Sequence, residues 1–455
     1  MTSFIAKTRE LFDRFDPKYV AFKRRVANFR YPSVKMGSLL SEPPEYGAGE
    51  AGIERLNDTT PRYIRITDID ENGELLLGLG MTAANVEPQY FLRDGDLLFA
   101  RSGNTVGKSY LHESERVTYP CFYAGYMIRF RFGEKVLPKY VFAFAQTPYY
   151  HEWVSAIQRS AGQPNINAQE YRNLEIPLPP LPPLPEQRKI VAELDAAYAA
   201  KRAADERAAK LLATIDDMVL KELGIANLPK PDTSLSSRIF TVPAREVHNG
   251  RLDSIAYQSM RRQFYKNVCA GMYEILRLNE IVDVDRRQTD SLGGLTYVGL
   301  ENINGEDGSY CPTSDKESIS TAMLFRKGEI LFPKLRPYLN KVWLADFDGA
   351  ASTEFFPLIP TDVSAEYLIV YLRLTQVARV MTLLMTGNTL PRVQLEDVLS
   401  LPVPIPPRSV QDRIASTASS IRAEARKLKA DATAALDAAK RMIEARISCS
   451  CPKAG

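Results

Sequence analysis

The sequence contains two tandem copies of one unit, and this duplication limits the possible folds more than any other feature. Three pairs of segments match in the same order. They are YIRITDI from Tyr63 and YVGLENI from Tyr297, GDLLFAR from Gly95 and GEILFPK from Gly328, and NLEIPLPPL from Asn173 and SLPVPIPPR from Ser400. The members of each pair are separated by about half of the 455 residues. A repeat of this length gives each copy enough residues for its own hydrophobic core, unlike the short repeats of a solenoid.

Each copy divides into a globular part and one long helix. The globular parts are punctuated by glycine, proline and asparagine and contain short β-branched runs, which are typical of strands. Glycine and proline are then absent from 186–223 and again from 408–447, and a proline precedes each stretch, as at the start of a helix. The predicted organisation is a first globular domain (1–184), a first helix (185–223), a second globular domain (224–407), a second helix (408–447) and a tail (448–455).

Both long helices carry apolar or small residues at an average spacing of 3.5 residues, which is the spacing at which helices pair. The predicted seam comprises Ile190, Leu194, Leu211, Ile215 and Met218 in the first helix, and Ile414, Ile421, Leu428 and Met442 in the second. Alanines between these positions allow the two backbones to approach closely. The simplest interpretation is that the helices pack on each other. The alternative is two unrelated core helices, and the equal length and equal position of the two stretches count against it.

The composition is that of a soluble globular protein, with 45% hydrophobic and 25% charged residues. No run of 18 apolar residues is present, and the N-terminus has acidic residues where a signal peptide needs an apolar run, so we expect a cytoplasmic protein without membrane contact. The five cysteines form no CxxC pair and are predicted to be free thiols. The net charge of +3 does not decide whether the chain binds nucleic acid, but basic residues cluster in 1–35 and 326–341.

Three motifs suggest catalysis, and each departs from the pattern that its chemistry needs. SGNTVGKS from Ser102 has three residues between its glycines where a phosphate-binding loop has four, and the second copy lacks both glycines. EPPEY from Glu42 is similar to the base-gripping motif of amino-methyltransferases, but Glu45 interrupts it and no glycine-rich cofactor loop accompanies it. Pro231-Asp232 is not followed by the Glu-x-Lys of a nuclease site. The sequence therefore predicts no catalytic and no metal-binding residues.

The repeated motifs resemble those of the specificity (S) subunits of type I restriction-modification systems. The resemblance covers nearly the whole chain and rests on the matched segments above, on RFD from Arg14 and RLD from Arg251, and above all on the run from Ile176 to Asp195 that contains PLPEQRKIVAELD. It implies a mixed α+β fold class: two globular α/β target recognition domains in tandem repeat, separated by two long antiparallel coiled-coil helices. Each domain would read one half of a split DNA sequence, and the helices would set the gap.

The resemblance also implies partners. It implies a non-catalytic subunit that binds double-stranded DNA, docks methylation (M) subunits, expected to be two, and works with restriction (R) subunits. S-adenosylmethionine, ATP and magnesium are expected on those partners, and no cofactor is expected on this chain. The alternative is a non-catalytic adaptor or scaffold whose duplicated domains bind protein ligands. Salt separates the two hypotheses, because DNA binding weakens steeply as salt suppresses counterion release.

For DNA contact, the sequence offers basic and amide side chains in loops. The loop at the end of GDLLFAR supplies Arg101, Ser102, Asn104, Thr105 and Lys108, and its counterpart supplies Lys334, Arg336, Asn340 and Lys341. A second loop supplies Arg159, Gln163, Asn165 and Asn167, and its counterpart supplies Asn388 and Arg392. Arginine and lysine suit guanine or phosphate, whereas asparagine and glutamine suit adenine. Any single asparagine or serine here can instead be a turn-forming residue, so the prediction concerns the loops as groups.

Overall fold

The computed structural model describes residues 17–25, 29–76, 78–158, 164–179, 184–229, 258–313, 321–387 and 390–448, together with positions 239, 241 and 243. The chain divides into two compact units, Met1–Ala203 with Asp431–Gly455, and Ala204–Ala430. The boundary crosses both long helices, so each unit holds one globular part and a segment of each helix. The predicted fold class, mixed α/β with tandem globular domains and long helices, is confirmed.

The globular part of the first unit is built from short strands. They are β1 (Ser33–Lys35), β2 (Glu45–Tyr46), β3 (Gly52–Glu54), β4 (Arg62–Ile64), β5 (Met81–Ala83), β6 (Leu97–Ala100), β7 (Ser109–Leu111), β8 (Cys121–Tyr123), β9 (Met127–Phe130) and β10 (Glu175–Pro177). One antiparallel sheet has the order β2-β9-β6-β7, and a second sheet has the order β3-β5-β4-β8, in which β4 and β8 are parallel. β1 and β10 form an antiparallel ribbon. Every residue of β6 and β9 is buried, so these two strands lie at the centre of the domain.

Helices cover the first sheet and form the core with it. They are α1 (Pro17–Arg25), α2 (Pro138–Phe144), α3 (Pro148–Ile157), α4 (Ala168–Arg172) and the start of α5 (Leu184–Leu223). α3 begins where Thr147 accepts a hydrogen bond from the Tyr150 amide and Pro148 fills the first turn, an arrangement that favours helix initiation. Phe99 of β6 stacks on Tyr171 of α4 with ring centroids 4.9 Å apart. The aromatic core thus fixes the helices on the sheet.

The second unit repeats this plan. Its strands are β11 (Ile275–Arg277), β12 (Val282–Val284), β13 (Gln288–Thr289), β14 (Thr296–Val298), β15 (Ala322–Phe325), β16 (Ile330–Pro333), β17 (Trp343–Leu344), β18 (Gly349–Ala351), β19 (Phe355–Pro360) and β20 (Pro402–Pro404). Its helices are α6 (Ser259–Cys269), α7 (Ala365–Leu372), α8 (Thr375–Leu383), α9 (Leu395–Leu399) and α10 (Arg408–Ile447). The sheet β12-β19-β16-β17 and the ribbon β11-β20 reproduce the sheet β2-β9-β6-β7 and the ribbon β1-β10 position by position.

The other sheet differs between the copies. In the first unit β4 lies between β5 and β8, whereas in the second unit the order is β13-β15-β18-β14, so that β18 lies between β15 and β14. The residues that match β15 by the repeat are 89–92, and in the first unit this segment pairs with β8 through a Phe91–Phe122 bridge. The parallel pair of β4 with β8 thus recurs as the pair of β14 with β18, and the copies differ in the edge strands, which are β5 and β3 beside β4 in the first unit and β13 beside β15 in the second.

A buried glutamine joins each long helix to its globular domain. The Gln187 side-chain oxygen accepts a hydrogen bond of 2.9 Å from the Leu137 amide, just ahead of α2. Gln411 accepts one of 2.9 Å from the Ser364 amide, just ahead of α7. Both glutamines are almost completely buried, and each satisfies an amide that helix geometry leaves unpaired. Gln187 and Gln411, each the fourth residue of its long helix, thus act as structural caps.

The proline-rich ribbons are held by tyrosines at equivalent positions of the two copies. Tyr140 donates a hydrogen bond to the Pro177 carbonyl, and Tyr367 donates one of 2.7 Å to the Pro404 carbonyl. A proline-rich strand offers few amide donors, so its carbonyls need partners of this kind.

The long helices begin and end close to the predicted bounds and run antiparallel within each unit. In the first unit Arg446, near the end of α10, forms an ion pair of 2.8 Å with Glu193 near the start of α5. In the second unit Arg413, near the start of α10, pairs at 2.6 Å with Glu222 near the end of α5. The antiparallel arrangement implied by the resemblance is therefore present in both units.

The buried stripes follow the predicted seam over its first heptads and then shift. Ile190, Leu194, Ile215 and Ile414 are buried, and Leu211, Met218, Ile421 and Leu428 are half-buried. The placement of Met442 on the seam is wrong: Met442 is 57% exposed, and its neighbour Ile443 is 1% exposed. A straight helix drifts by roughly 20° per heptad from a 3.5-residue repeat, so four heptads shift the stripe by nearly one residue. The same shift buries Val219 beside half-buried Met218 in α5.

Much of each stripe packs into a domain core. Ile190, Leu194 and Ile443 belong to the apolar cluster of the first unit, and Val219 and Ile414 belong to that of the second. The fully buried Ala208 and Ala425 lie in the middle of the helices, where the sequence predicted small residues and close approach. In the described part of the chain, no helix is long and apolar enough to cross a membrane.

Candidate nucleic-acid interface

The first predicted DNA loop links β6 to β7 and is shaped by two glycines. Gly103 and Gly107 have φ angles of 83° and 88°, which residues with a side chain rarely adopt. A Cβ atom at Gly107 would also lie 2.6 Å from Val154. The Tyr150 hydroxyl donates a hydrogen bond of 2.7 Å to the Gly107 carbonyl. The two glycines of this motif, which is similar to a phosphate-binding loop, are therefore explained by the turn geometry and by close packing against α3.

The two predicted loops of the first copy lie side by side. Ser102 and Asn165 form a β-bridge, and the Gly103 amide donates to the Pro164 carbonyl at 3.0 Å. The Ile166 amide donates to the Arg101 carbonyl at 2.8 Å. Segments more than 60 residues apart in sequence thus form one surface at the end of β6.

The second copy joins its two loops in the same way. Leu335 and Arg392 form a β-bridge, and the Arg336 amide donates to the Pro391 carbonyl at 3.1 Å. The Val393 amide donates to the Lys334 carbonyl at 3.0 Å. Each unit therefore presents one loop pair; we name the residues 101–108 with 164–167 the first loop pair, and 334–341 with 390–392 the second loop pair.

The second loop pair keeps the left-handed backbone of the first without its glycines. Arg336 and Asn340 have φ angles of 49° and 51°, and by the repeat they occupy the positions of Gly103 and Gly107. A left-handed conformation costs roughly 1–2 kcal/mol for a residue with a side chain, although asparagine tolerates it better than arginine. Backbone strain of this kind is concentrated at functional sites. The exposed Arg336 side chain is thus held in place at the expense of stability.

Several predicted DNA-contact residues form hydrogen bonds within the protein. Lys108 donates to the Ile69 carbonyl and Lys341 donates to the Leu300 carbonyl, both at 2.7 Å. Asn167 caps α4 by accepting from the Glu170 amide at 2.9 Å. Asn340 donates to the Arg373 carbonyl at 2.7 Å. These contacts give the four residues structural roles, and contact of these residues with DNA stays a prediction.

Two further members of the second loop pair have partners within the protein. Arg392 forms two hydrogen bonds with the Glu354 carboxylate, of 2.9 and 2.7 Å, and this arginine lowers the pKa of Glu354. Lys334 donates to the Thr353 carbonyl at 2.6 Å and lies over the Phe356 ring, and burial lowers its pKa. The Arg392 charge is therefore balanced by a carboxylate, and Lys334 is held by contacts within the domain.

The remaining predicted residues differ in exposure. Asn104 and Arg336 are exposed, whereas Arg101, Ser102, Thr105 and Asn165 are half-buried. The Arg101 guanidinium lies over the Tyr46 ring, 4.9 Å from its centroid. Arg159, Gln163 and Asn388 lie outside the described residues.

Sequence reasoning missed exposed aromatic side chains beside the loop pairs. Tyr126 is 63% exposed, and its carbonyl accepts a hydrogen bond of 2.9 Å from the Arg101 amide. Tyr46, whose ring lies under the Arg101 guanidinium, is 39% exposed, and Tyr338 lies within the second loop pair and is 48% exposed. A tyrosine next to glycine or proline in a loop was the available signal, as in AGYM and RPYL. Aromatic and apolar groups of this kind can contact base edges such as the thymine methyl group.

Replacing Arg336 by glycine is expected to separate stability from binding. Glycine relieves the left-handed strain, so the unfolding free energy of the second unit should stay unchanged or rise by up to about 1 kcal/mol. Loss of the guanidinium should weaken binding to target DNA about tenfold or more. Thermal unfolding and a DNA-binding titration check the two effects, and Arg336→Ala is the control, since it removes the charge and keeps the strain. Unchanged affinity in both variants would exclude Arg336 from the interface.

The described residues include no group of three or more His, Cys, Asp or Glu side chains placed to hold a metal ion. The EPPEY carboxylates have ion-pair partners: Glu45 pairs with Arg129, and Glu42 accepts from Arg131 at 2.8 Å. Pro231-Asp232 lies outside the described residues.

Comparison with solved structures gives matches of low similarity. The chain is 16% identical to the HsdS subunit from Thermoanaerobacter tengcongensis, with 92% of this chain and 96% of that chain covered and a TM-score of 0.31. It is 12% identical to the type I restriction-modification S subunit from M. genitalium, with 94% and 98% covered and a TM-score of 0.36.

Comparison of the sequence with known proteins gives consistent matches. Residues 62–210 match the family model described as the type I restriction modification DNA specificity domain. The chain is 25% identical over 144 residues to the type I restriction enzyme EcoDI specificity subunit of Escherichia coli, covering 30% of this chain and 32% of that protein. It is 24% identical over 220 residues to the EcoKI specificity subunit of Escherichia coli (strain K12), covering 47% and 44%. The matches thus span less than half of either relative. The resemblance to specificity subunits of type I restriction-modification systems, first seen in the repeated motifs, is confirmed by the family model and by both relatives.

Proposed function

We propose that this chain is the DNA-recognition subunit of a type I restriction-modification complex, and that each loop pair reads one half of a bipartite target. The observation that carries the proposal is the equivalence of the two loop pairs: each presents basic, amide and aromatic side chains at the same end of the same sheet. Such side chains in loops suit both phosphate contact and base readout in the major groove. The match of residues 62–210 to a DNA specificity domain supports the same conclusion.

The chain itself is proposed to be non-catalytic. It would bind no cofactor, and S-adenosylmethionine, ATP and magnesium would be bound by two methylation subunits and by restriction subunits. Specificity then comes from binding alone, and chemistry from the partners. The adaptor alternative predicts protein ligands in place of DNA.

Salt dependence tests the proposal directly. Methylation-sensitive sequencing of DNA from cells that make the chain with its methylation subunits would give the target sequence. Binding of the complex to a duplex with that target should then weaken linearly on a log–log scale with salt, with a slope of about −0.9 per phosphate contacted. A duplex of scrambled sequence is the control. A salt-independent affinity, or equal affinity for both duplexes, would favour the adaptor.

We further propose that the long helices set the gap between the half-sites. Inserting seven residues after Ala204 and seven after Ala432 keeps the buried stripes in phase and lengthens each helix by about 10.5 Å. Both positions lie within two residues of the boundary between the units, so neither core is changed. B-DNA rises about 3.4 Å per base pair, so the preferred gap should grow by about three base pairs.

Affinity should fall at the same time, because three base pairs rotate the second half-site by about 100°. Selection of methylated sites from random DNA would measure the gap for the parent and the lengthened chain. The half-site sequences should be the same in both, since no loop is altered. An unchanged gap with retained affinity would show that another feature sets the spacing.

A further inference from the structure

A partly buried guanidinium group bridges two carboxylates in the first unit. Arg131 follows β9, and its Nε atom donates to Asp96 Oδ1 at 2.7 Å while a second nitrogen donates to Asp96 Oδ2 at 3.0 Å. A third bond of 2.8 Å reaches Glu42. Asp96 is 1% exposed, so a buried carboxylate is satisfied by a bidentate arginine, which is a strong arrangement. Hydrogen bonding to Arg131 also lowers the pKa of Glu42.

The repeat places a different pair at the same position in the second unit. Leu97 pairs with Phe130 in the first sheet, so Asp96 and Arg131 are the next neighbours across the two strands. Ile330 pairs with Leu358 in the equivalent sheet, so the next neighbours there are Glu329 and Ile359. The carboxylate is thus kept in the second unit, and the arginine is replaced by isoleucine.

Glu329 consequently lacks the partner that Asp96 has. The residue is 5% exposed, and its Oε2 atom has no hydrogen-bond partner among the described residues. The Arg287 guanidinium lies 3.9 Å from Oε1, but its Nε atom bonds the Asp285 carboxylate at 2.9 Å. Burial raises the pKa of Glu329, whereas Arg287 lowers the pKa of Asp285. The short hydrogen bonds of Arg287 thus go to Asp285, and Glu329 has only the longer approach of 3.9 Å from the same guanidinium.

A cavity of about 640 Å³ that is open to solvent lies at this point of the second unit. Glu329 and Ile359 line it together with Asp285 and Arg287, and two further cations, Arg326 and Lys327, also line it. A buried carboxylate with an unsatisfied oxygen favours a cationic donor. The additional cations favour a ligand that also carries an anionic group.

We propose that this cavity, which we name the guanidinium pocket, binds an arginine-like ligand from outside the chain. The guanidinium of the ligand bonds Glu329, as Arg131 bonds Asp96 in the first unit, and its carboxylate faces Arg326 and Lys327. Two sources supply this chemistry: free arginine, and an arginine beside an acidic residue in a partner protein. The pocket is separate from both loop pairs, so its ligand can be tested without DNA.

The test uses the full chain and isothermal titration with L-arginine. We expect saturable binding of L-arginine, binding of agmatine that is several-fold weaker because agmatine lacks the carboxylate, and no binding of citrulline, which lacks the charge. Titration with N-acetyl-arginyl-aspartate amide distinguishes the sources: tighter binding than L-arginine indicates a protein segment, and weaker binding indicates the free amino acid.

Two variants and a matched control link binding to the pocket. Glu329→Gln should weaken L-arginine binding at least tenfold, because a charge-assisted bond is lost. Ile359→Arg should abolish binding, because the new guanidinium would itself bond Glu329 as Arg131 bonds Asp96. This substitution should also raise the melting temperature of the second unit. Ile359→Leu is the control and should bind as the parent does. The proposal is overturned if neither L-arginine nor the dipeptide binds saturably, or if Glu329→Gln and Ile359→Arg bind like the parent. Neither result would affect DNA recognition, which the salt series tests separately.

Discussion

Exchanging residues 235–407 for the matching segment of another DNA specificity domain is expected to replace one half of the target and leave the other half unchanged. The strands of the second unit, β11 to β20, all lie within 275–404, so the exchange carries complete sheets and the whole second loop pair. The first loop pair lies in the other unit and is not altered. Since each mismatched base pair typically costs about 1–3 kcal/mol, the change of half-site should be nearly complete.

Methylation-sensitive sequencing of cells that make the parent or exchanged chain would measure both half-sites. The donor segment must keep an apolar face toward Val219 and Leu223, which α5 contributes to the same core. The reciprocal exchange of residues 1–184 serves as the control and should change the opposite half. Alteration of both half-sites by one exchange would refute the assignment of one loop pair to one half-site.

Replacing Ile443 by aspartate is expected to destabilise the first unit by at least about 3 kcal/mol. Ile443 is 1% exposed in a cluster that includes Ile190 and Leu194, so the substitution removes apolar contacts and buries a carboxylate without a cationic partner. Thermal or urea unfolding of the full chain would show this as an earlier transition of one unit.

The neighbouring residue provides a matched control. Met442→Asp introduces the same charge one position earlier, at a side chain that is 57% exposed, and should change stability by no more than about 0.5 kcal/mol. If Ile443→Asp does not yield folded protein, Ile443→Ala should still cost about 2–5 kcal/mol. Equal effects of the two aspartate variants would mean that the buried stripe has not shifted as described.

The long helices could be predicted from the sequence because their signals are local. Loss of glycine and proline after Pro185 and Pro407, together with regular apolar spacing, predicted helices that the structure confirms within two residues. The error at Met442 has a physical cause, because a strict 3.5-residue count holds only where helices supercoil. Near its end α10 packs on a globular core, and the stripe follows the straight helix.

The loop pairs could be predicted as groups but not in detail. Their assembly depends on contacts between distant segments, such as the bridge from Ser102 to Asn165, which no local pattern records. The left-handed backbone at Arg336 was also hidden, since glycine is the usual signal for that conformation. Lysine in a loop predicts an exposed charge, yet Lys108 and Lys341 bond backbone carbonyls of residues that lie about 40 positions earlier in the sequence, a contact that no local pattern indicates.

The two glutamine caps fix the rotation of each long helix relative to the domain that it adjoins. Turning α5 or α10 about its axis by one residue, roughly 100°, would withdraw Gln187 or Gln411 from the amide that it satisfies. Leaving such a buried amide unpaired costs about 1–3 kcal/mol, and buried apolar contacts would be lost as well. We therefore expect the adjoining domain to rotate together with its helix. A protein that binds the helices and rotates one of them would then change the orientation of a loop pair that it does not contact.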